Sequence, residues 1–462
     1  MKRSMISATA IVALAGAFVP AGAAQSASAA GQAIHVAVGG SDRASGTAQA
    51  PLATIQAAVD AAVPGTVIKV HAGTYKGEVK IRKSGTPTAP ITLTNAGDGE
   101  VVVTSDQAPD SCTSHQPSMR RTIKITGGAS DWTIRGLTIV HGLLILGEKS
   151  TAAFNWHATK VKERNWADRR KVPGRGQRDP SSTHRVIPYL QGVTGATTMA
   201  SADRIRLYGN KIRSRGIHAS LSNYGVIQGN VISDIICGSG PGVWVMTFSD
   251  HWTIADNDIS RLSAASTEHY MHEGIRLGTA SNYNYVARNS VHDLPGDGRA
   301  YNTDVDSSYN LFQFNRANKV AIGFNEQMAG WGNTWEYNAV TNFRVFGYGL
   351  RLKDAKLPLP AMDTSTNGVI MRCNRAFKPV GKAKSLGVGA VMNARLNTNA
   401  FTTIWFSPAS QTYWSRFDNR WNGSTQLPDK DVTPSYCGDP SVTVVERATA
   451  AAVSAARWDW SP

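Results

Sequence analysis

The 462-residue chain has few charged residues, few cysteines and no long apolar run beyond its N terminus. Charged residues make up 18% of the chain, too few for a coiled coil or a protein built from long helices. The four cysteines form no Cys-x-x-Cys pair and no Cys/His metal spacing, which argues against a zinc site. By contrast, 43 glycines and a hydrophobic content of 42% favour a turn-rich β chain with a sizeable core.

Acidic residues are outnumbered: 33 Asp and Glu stand against 48 Lys and Arg, giving a formal net charge of +15. Such an excess predicts an acidic partner, which composition alone leaves open among a polyanionic glycan, nucleic acid and an anionic surface.

The N terminus has the pattern of a secretory signal peptide. Lys2 and Arg3 precede an apolar stretch at residues 6–19, and Ala27-Ser28-Ala29 forms a small-residue cleavage site. A transmembrane anchor is the alternative, but the apolar stretch is shorter than the roughly 18 residues that a membrane span needs. We therefore expect residues 1–29 to be removed and the mature protein to be secreted, extracellular and without a membrane segment.

An oxidising environment would allow disulfides among Cys112, Cys237, Cys373 and Cys437. The favoured pair is Cys373 with Cys437, and buried free thiols are the alternative, since sequence alone does not give connectivity.

Asparagine recurs between short β-like runs at intervals of 20 to 36 residues. The recurring positions are Asn210, Asn230, Asn257, Asn289, Asn315, Asn338 and Asn374. The runs alternate apolar and polar residues, which indicates solenoid coils built from strands. Asparagine tolerates a left-handed bend, and its amide can bond the asparagine of the next coil.

This pattern predicts an all-β, right-handed parallel β-helix over residues 30–400, followed by a C-terminal cap and tail at 401–462. Residues 54–63 have apolar side chains at helical spacing and are expected to form a short helix that caps the open N-terminal end.

Three N-terminal motifs carry a family resemblance: PLATIQAAV at 51–59, GTYKGEV at 73–79 and SGTPTAPITL at 84–93. They resemble the N-terminal region of the pectate-lyase-like superfamily of secreted right-handed parallel β-helix proteins. The motifs cover residues 35 to 95, and the asparagine-marked coils extend the likeness to about residue 400. The resemblance implies glycan chemistry without selecting the reaction, because members include polysaccharide lyases, glycoside hydrolases, epimerases and adhesive proteins.

If the asparagine marks the corner after the second strand of each coil, the first strands lie at 242–246, 274–278, 303–306, 322–325 and 350–353. Strand alternation then sends Val305 and Leu352 inward, and it sends a largely polar set onto one outer face. That outward set is Trp244, Arg276, Asp304, Asp306, Asn325, Arg351 and Lys353.

Such a face could perform β-elimination on a uronic-acid polymer, and the resemblance implies that the glycan groove lies there. Lys353, its pKa lowered by Arg351, and His272 are candidate bases for the proton at C5. Arg276 could bind the substrate carboxylate as a forked pair. For Arg276 a solvated ion pair with Asp304 and Asp306 is the alternative, and for His272 a position on the loop surface.

Calcium is a possible cofactor, with Asp304, Asp306 and Glu326 as its oxygen ligands. Substrate-binding candidates are His269 and Arg299 in the loops, together with Trp244 and Trp331 as sugar-stacking platforms. Core packing is the alternative role for the two tryptophans.

Two further functions compete with the lyase. A glycoside hydrolase could use Asp304 and Asp306 with Glu326 as its acid/base pair, and residues 298–304 and 331–338 loosely resemble stretches of β-helix hydrolases. A non-catalytic glycan-binding or cell-wall protein would keep only the solenoid. In each case we expect a monomer with an acidic polysaccharide partner.

Residues 155–188 interrupt the coils with nine cationic and three acidic residues, a net charge of +6. This segment is predicted to flank the groove and attract an acidic chain, and a solvated loop is the alternative. Export argues against nucleic acid as its partner.

Overall fold

In the computed structural model the described residues are 33–106, 120–147, 201–236, 240–262, 272–278, 281–304, 307–327, 332–352, 366–408, 410–432 and 437. All of them fall within the compact unit Gly31–Pro462. Several sequence predictions lie outside the described residues. They are the leader at 1–29, the basic segment at 155–188, the tail at 438–462, Cys112, Cys237, His269, Val305, Asp306, Trp331 and Lys353.

Three long parallel sheets run through the described residues, and successive strands of one sheet come from successive coils. The chain visits the sheets in the same order in each complete coil, which is the architecture of the predicted right-handed parallel β-helix. The predicted fold is confirmed.

Sheet 1 consists of Val79–Ile81, Ile123–Ile125, Leu143–Leu146, Ile217–Ser220, Val243–Met246, Glu273–Gly278, Arg299–Thr303, Ile322–Glu326, Phe346–Leu350, Lys384–Val388 and Ile404–Phe406. Sheet 2 consists of Ala33–Val36, Val67–Val70, Ile91–Asn95, Trp132–Arg135, Arg206–Tyr208, Val226–Gln228, Thr253–Ala255, Tyr285–Ala287, Leu311–Gln313, Thr334–Glu336, Ile370–Arg372, Arg395–Asn397 and Arg420–Trp421. Sheet 3 consists of Gly73–Lys76, Val101–Thr104, Thr138–Val140, Lys211–Ser214, Val231–Ile235, Asp258–Leu262, Ser290–His292, Arg316–Asn318, Ala339–Thr341 and Arg375–Phe377. Thr366–Asn367 and Val391–Met392 form a separate two-stranded sheet.

Two short helices accompany the sheets in the described part of the chain, Ile55–Ala61 and Ser410–Arg416. The first begins at Thr54, whose hydroxyl accepts a hydrogen bond from the Ala57 amide at 3.1 Å, as an N-cap side chain does. It buries its apolar face against the first strands of the solenoid, as expected of a cap. Neither helix is long and apolar enough to span a membrane.

The asparagine ladder is present as predicted, and it extends one step further, to Asn399. At each step the Oδ1 atom of one asparagine accepts from both the backbone N–H and the Nδ2 of the asparagine one coil earlier. For Asn315 and Asn338 these distances are 2.9 and 3.0 Å. The left-handed bend, however, falls on the residue before each asparagine, for example Phe314 (φ 57°) and Tyr337 (φ 56°). The asparagine contributes its amide, and its neighbour makes the turn.

A second asparagine ladder, not predicted from the sequence, runs through Asn284, Asn310 and Asn333 at the corner before each strand of sheet 2. It ends on a carboxylate, because Asn333 Nδ2 donates to Glu326 Oε1 at 2.5 Å.

Among the described residues the main hydrophobic cluster runs from Ile34 to Trp414, and two smaller clusters are separate from it. The strands at Ile404–Phe406 and Arg420–Trp421 pair with the preceding coils, so the solenoid continues past residue 400. The favoured disulfide between Cys373 and Cys437 is confirmed.

Candidate active site on the outer face of sheet 1

Three of the five predicted first strands are present, at Val243–Met246, Glu273–Gly278 and Ile322–Glu326. The prediction at 303–306 is wrong, because the strand is Arg299–Thr303 and Asp304 follows it. The reason is an aromatic core position: Tyr301 lies inside the coil with its ring stacked 4.8 Å from that of Phe324.

The prediction at 350–353 is wrong for the same reason. The strand is Phe346–Leu350, and Tyr348 stacks on Phe324 at 4.8 Å from the opposite side. Arg351 follows this strand with φ 53° and is fully buried, and its Nη1 donates to the backbone oxygen of Gln327. Arg351 is therefore a structural side chain and not part of an open catalytic face. Leu352 also lies outside the strand, close to Gly349 and Gly387.

A local irregularity places two ionisable groups of one strand on the outer face. Ile275 lies in the core, and a Cβ at Gly274 would come within 2.4 Å of the Val291 side chain, so both of these residues face inward. Two consecutive inward positions put Glu273 and Arg276 on the same outer face, where strict alternation would separate them.

Arg276 is held between two carboxylates. Its Nη1 donates to Glu273 Oε1 at 3.0 Å, and its Nη2 bonds to Asp304 Oδ2 from the next coil. The predicted contact between Arg276 and Asp304 is therefore present, although it is buried rather than solvated, with 10% and 5% of the two side chains exposed. Both terminal nitrogens are in use, so Arg276 cannot make the forked pair with a substrate carboxylate that the sequence suggested.

Trp244 does not present an open ring to solvent. Its ring lies 4.6 Å from that of His218 in the preceding coil, and the Arg276 guanidinium stands 5.8 Å from its centroid in the following coil. Only 8% of the residue is exposed. Packing, the alternative role, is what the structure shows, because neighbouring coils cover the ring.

Amides and a second arginine extend the outer-face cluster across three coils. Asn302 Nδ2 donates to Gln327 Oε1 at 3.1 Å, and Asn325 Nδ2 donates to Asn302 Oδ1 at 2.6 Å. Arg299 Nη1 donates to the same Gln327 oxygen at 2.9 Å and lies 3.9 Å from Glu273 Oε1. Its side chain is 23% exposed, more than that of Arg276, so it can reach a ligand.

His272 lies directly before this cluster. Its Nδ1 is 3.3 Å from Asp297 Oδ1, and its backbone oxygen accepts a hydrogen bond from the Arg299 amide at 3.0 Å. A carboxylate at Nδ1 favours the tautomer whose Nε2 is basic, which is the arrangement that a general base uses.

Glu326 faces the interior, contrary to its predicted role as a calcium ligand or hydrolase acid. Its oxygens accept hydrogen bonds from Asn333 Nδ2 at 2.5 Å and Trp335 Nε1 at 2.9 Å inside the coil. Asp304 lies on the outer face with Arg276, so these two carboxylates cannot bind one ion or act on one sugar. Among the described residues no group of three His, Cys, Asp or Glu side chains is placed to hold a metal. The described residues therefore do not fit the predicted calcium site.

Burial raises the pKa of Glu326 to about 7, because the interior disfavours its charged form. The folded state then binds a proton that the unfolded state has already released. We expect the free energy of unfolding to fall by about 3 kcal/mol as pH rises from about 4.5 to 7. Denaturant unfolding of the wild type and Glu326→Gln at several pH values tests this: the stability of the wild type relative to the variant should fall as pH rises. A constant difference would contradict it.

Four residues complete the cluster although no role was predicted for them from the sequence: Glu273, Asp297, Asn302 and Gln327. One feature of the sequence could have identified these residues. A small, inward-facing residue directly precedes the first core side chain of each of four strands, namely Gly274, Ala300, Gly323 and Gly347. Recognising that repeated small residue would have shifted the predicted strands into register.

Residues 38–87 match a family model described as a protein of unknown function, DUF1565. The chain is 35% identical to the pectate lyase PEL9 of Emericella nidulans over 138 residues, which are 29% of this chain and 33% of that relative. The match thus spans about a third of the relative's length.

Two solved structures are similar. An alginate lyase from a Paenibacillus species is 15% identical and has a TM-score of 0.47, with 73% of this chain and 95% of that one covered. The pectate lyase Pel9A is 13% identical and has a TM-score of 0.43, with 88% and 90% covered.

The three parallel sheets confirm the right-handed parallel β-helix fold, and over 29% of its length this chain is similar to a pectate lyase.

Proposed function

We propose that this chain is a secreted polysaccharide lyase that cleaves a uronic-acid-containing glycan by β-elimination on the outer face of sheet 1. The placement of His272 and Arg299 carries the proposal. His272, oriented by Asp297, directly precedes one strand of sheet 1, and the strand that pairs with it in the next coil begins with Arg299. A base and a partly exposed cation on neighbouring coils are the two groups that the reaction requires. The similarity to a pectate lyase supports the substrate class.

In this reaction the guanidinium of Arg299 pairs with the uronate carboxylate and makes the C5 proton more acidic. His272 Nε2 removes that proton. The electron pair forms the C4–C5 double bond, the C4–O bond breaks, and the leaving oxygen takes a proton from solvent. Glu273 and Gln327 hold the arginine from two sides, so it needs little ordering when substrate binds.

Hydrolysis fits the same face less well. A glycosidase needs one protonated carboxyl as general acid and one ionised carboxylate. The two described carboxylates nearest the centre of the cluster, Glu273 and Asp304, are buried and both bond to the Arg276 guanidinium, so neither is placed to act on a glycosidic oxygen. Glu326, whose raised pKa would suit an acid, is on the other side of the sheet.

The deciding experiment incubates the purified chain with a panel of uronic-acid polymers and follows both ultraviolet absorbance and reducing ends. We expect the absorbance of an unsaturated sugar to rise together with reducing ends. Reducing ends without that absorbance would mean hydrolysis, and binding without products would mean a non-catalytic protein. Either result would overturn the lyase proposal.

We also expect elimination to continue after treatment with a chelator and gel filtration. The reason is that Asp304 is engaged by Arg276 and Glu326 lies inside the coil, so the predicted ligands do not assemble. The measurement is the initial rate before and after EDTA, with added calcium as the control. A loss of activity that calcium restores would contradict this expectation.

A further inference from the structure

The outer face of sheet 1 continues past the candidate active site toward the C-terminal end of the solenoid. Its first row of paired residues is Glu273, Arg299, Ile322, Phe346 and Lys384. Its second row is Arg276, Asn302, Asn325, Gly349, Gly387 and Trp405. Ile322 and Phe346 each precede two inward residues, as Glu273 does, which places them on the outer face. Both rows therefore begin in the polar cluster and continue into an apolar region.

The apolar region is a strip of four side chains, each at least partly exposed to solvent: Ile322, Phe346, Leu352 and Trp405. A Cβ on Gly349 would come within 2.7 Å of Leu352, and one on Gly387 would come within 2.8 Å of both Leu352 and Phe346. Leu352 and Phe346 therefore lie over the two glycines. The strip extends the outer face in the direction away from Arg276 without adding a charge to it.

Trp405 ends the strip and is its most exposed member. The exposed fraction of Trp405 is 37%, against 8% for Trp244 at the other end of the same face. Ile404 lies in the core, so the next side chain along the strand points outward. The Trp405 ring lies 5.8 Å from that of Phe346, which packs against one part of it. An indole that is held in this way and remains accessible can pack on the apolar C–H face of a sugar ring.

The register of the sheet gives the distance from the reaction centre to this ring. Trp405 lies four strands beyond Asn302, which is about 19 Å along the solenoid axis. A polymer that lies across the strands, with its reacting bond beside Arg299, passes over the strip before it reaches Trp405. Lys384, on the strand next to that of Trp405, is partly exposed and supplies a cation for a uronate on this path.

We propose that Trp405 is a stacking platform for a sugar ring of the bound polymer, remote from the bond that breaks. This inference rests on the proposed function, which places the reacting bond at His272 and Arg299. A contact so far from the reacting atoms contributes to binding and not to the chemical step. The substrate then extends several sugars from the cleaved bond toward the C-terminal end of the solenoid, and long chains bind more tightly than short ones.

The test compares tetramers with decamers of galacturonate, alginate and hyaluronan on the full chain. For the polymer that the wild type cleaves, Trp405→Ala should raise KM for the decamer about tenfold and leave kcat and the KM for the tetramer unchanged. Trp405→Tyr keeps a flat ring and should retain most of the affinity, whereas Trp405→Leu keeps only apolar character and should not. Phe377→Ala is the matched control, because Phe377 is an aromatic residue of similar exposure, 44%, on sheet 3.

The outcomes separate the two proposals. If Trp405→Ala leaves KM for the decamer unchanged, or weakens tetramers and decamers equally, the platform is wrong and the lyase proposal stands. A dimer in gel filtration that Trp405→Ala dissociates would assign the strip to a second copy of the chain and would also overturn the platform. If the wild type binds decamers but forms no unsaturated product, the lyase proposal fails, and calorimetry on the same variants decides the platform. If no oligomer binds, both proposals fail.

Discussion

Replacing His272 with glutamine should lower kcat for elimination by about 10²- to 10⁴-fold, the range that a positioned general base contributes. Glutamine keeps an amide that can bond to Asp297 but has no basic nitrogen, so KM should change little. The measurement is the initial rate of unsaturated product over a range of substrate concentrations. Asp297→Asn should cause a smaller loss, because it disturbs only the orientation of the ring.

A matched control is available in the same solenoid. His292 bonds to Asp293 at 2.7 Å and to Asp258 at 2.8 Å, which is a similar His–Asp arrangement on sheet 3, away from the cluster. His292→Gln should leave kcat unchanged. A His272→Gln protein with an unchanged melting temperature and more than a tenth of the wild-type rate would remove His272 as the base.

We expect the largest loss of stability when one amide nitrogen of the asparagine ladder is replaced by an oxygen. In Asn315→Asp, an oxygen replaces the Nδ2 that donates to Val286 O at 2.8 Å and to Asn338 Oδ1 at 3.0 Å. Two hydrogen bonds become contacts between acceptors, and a carboxylate is placed at a site with no exposed surface. We expect the free energy of unfolding to fall by about 3–5 kcal/mol at neutral pH. Denaturant unfolding measures it.

Asn422→Asp serves as its control. Asn422 is exposed, and its Oδ1 accepts from the Thr398 amide at 2.8 Å, a bond that aspartate preserves. That variant should stay within about 0.5 kcal/mol of the wild type. A loss below about 1 kcal/mol for Asn315→Asp would show that the ladder does not contribute as its geometry indicates.

The repeated asparagines were sufficient to predict the fold, because their spacing and the two-residue alternation reflect the backbone of every coil. The same signal placed the strands at 242–246, 274–278 and 322–325 correctly. The alternation also identified Trp244, Arg276 and Asn325 as one outer row, which the register of sheet 1 confirms.

The site was harder to predict because its register depends on packing. Tyr301 and Tyr348 extend a stack of rings inside the solenoid, and a period-two pattern does not distinguish a buried tyrosine from an exposed one. The pattern also does not detect two adjacent residues that both face inward, such as Gly274 and Ile275. Such a pair reverses the face of every side chain that follows it in the strand. Glu326 faces the core for a reason that lies in another element, the second asparagine ladder that ends on it.

The strands of sheet 1 are aligned residue by residue, so each additional coil contributes one more side chain to every outer row. Neighbouring strands are about 4.8 Å apart, and a coil contacts mainly the coils on either side of it. Duplicating or deleting one whole coil away from residues 243–327 would therefore change the footprint on the polymer by a fixed increment. Substrate length could then evolve separately from the bond-breaking chemistry.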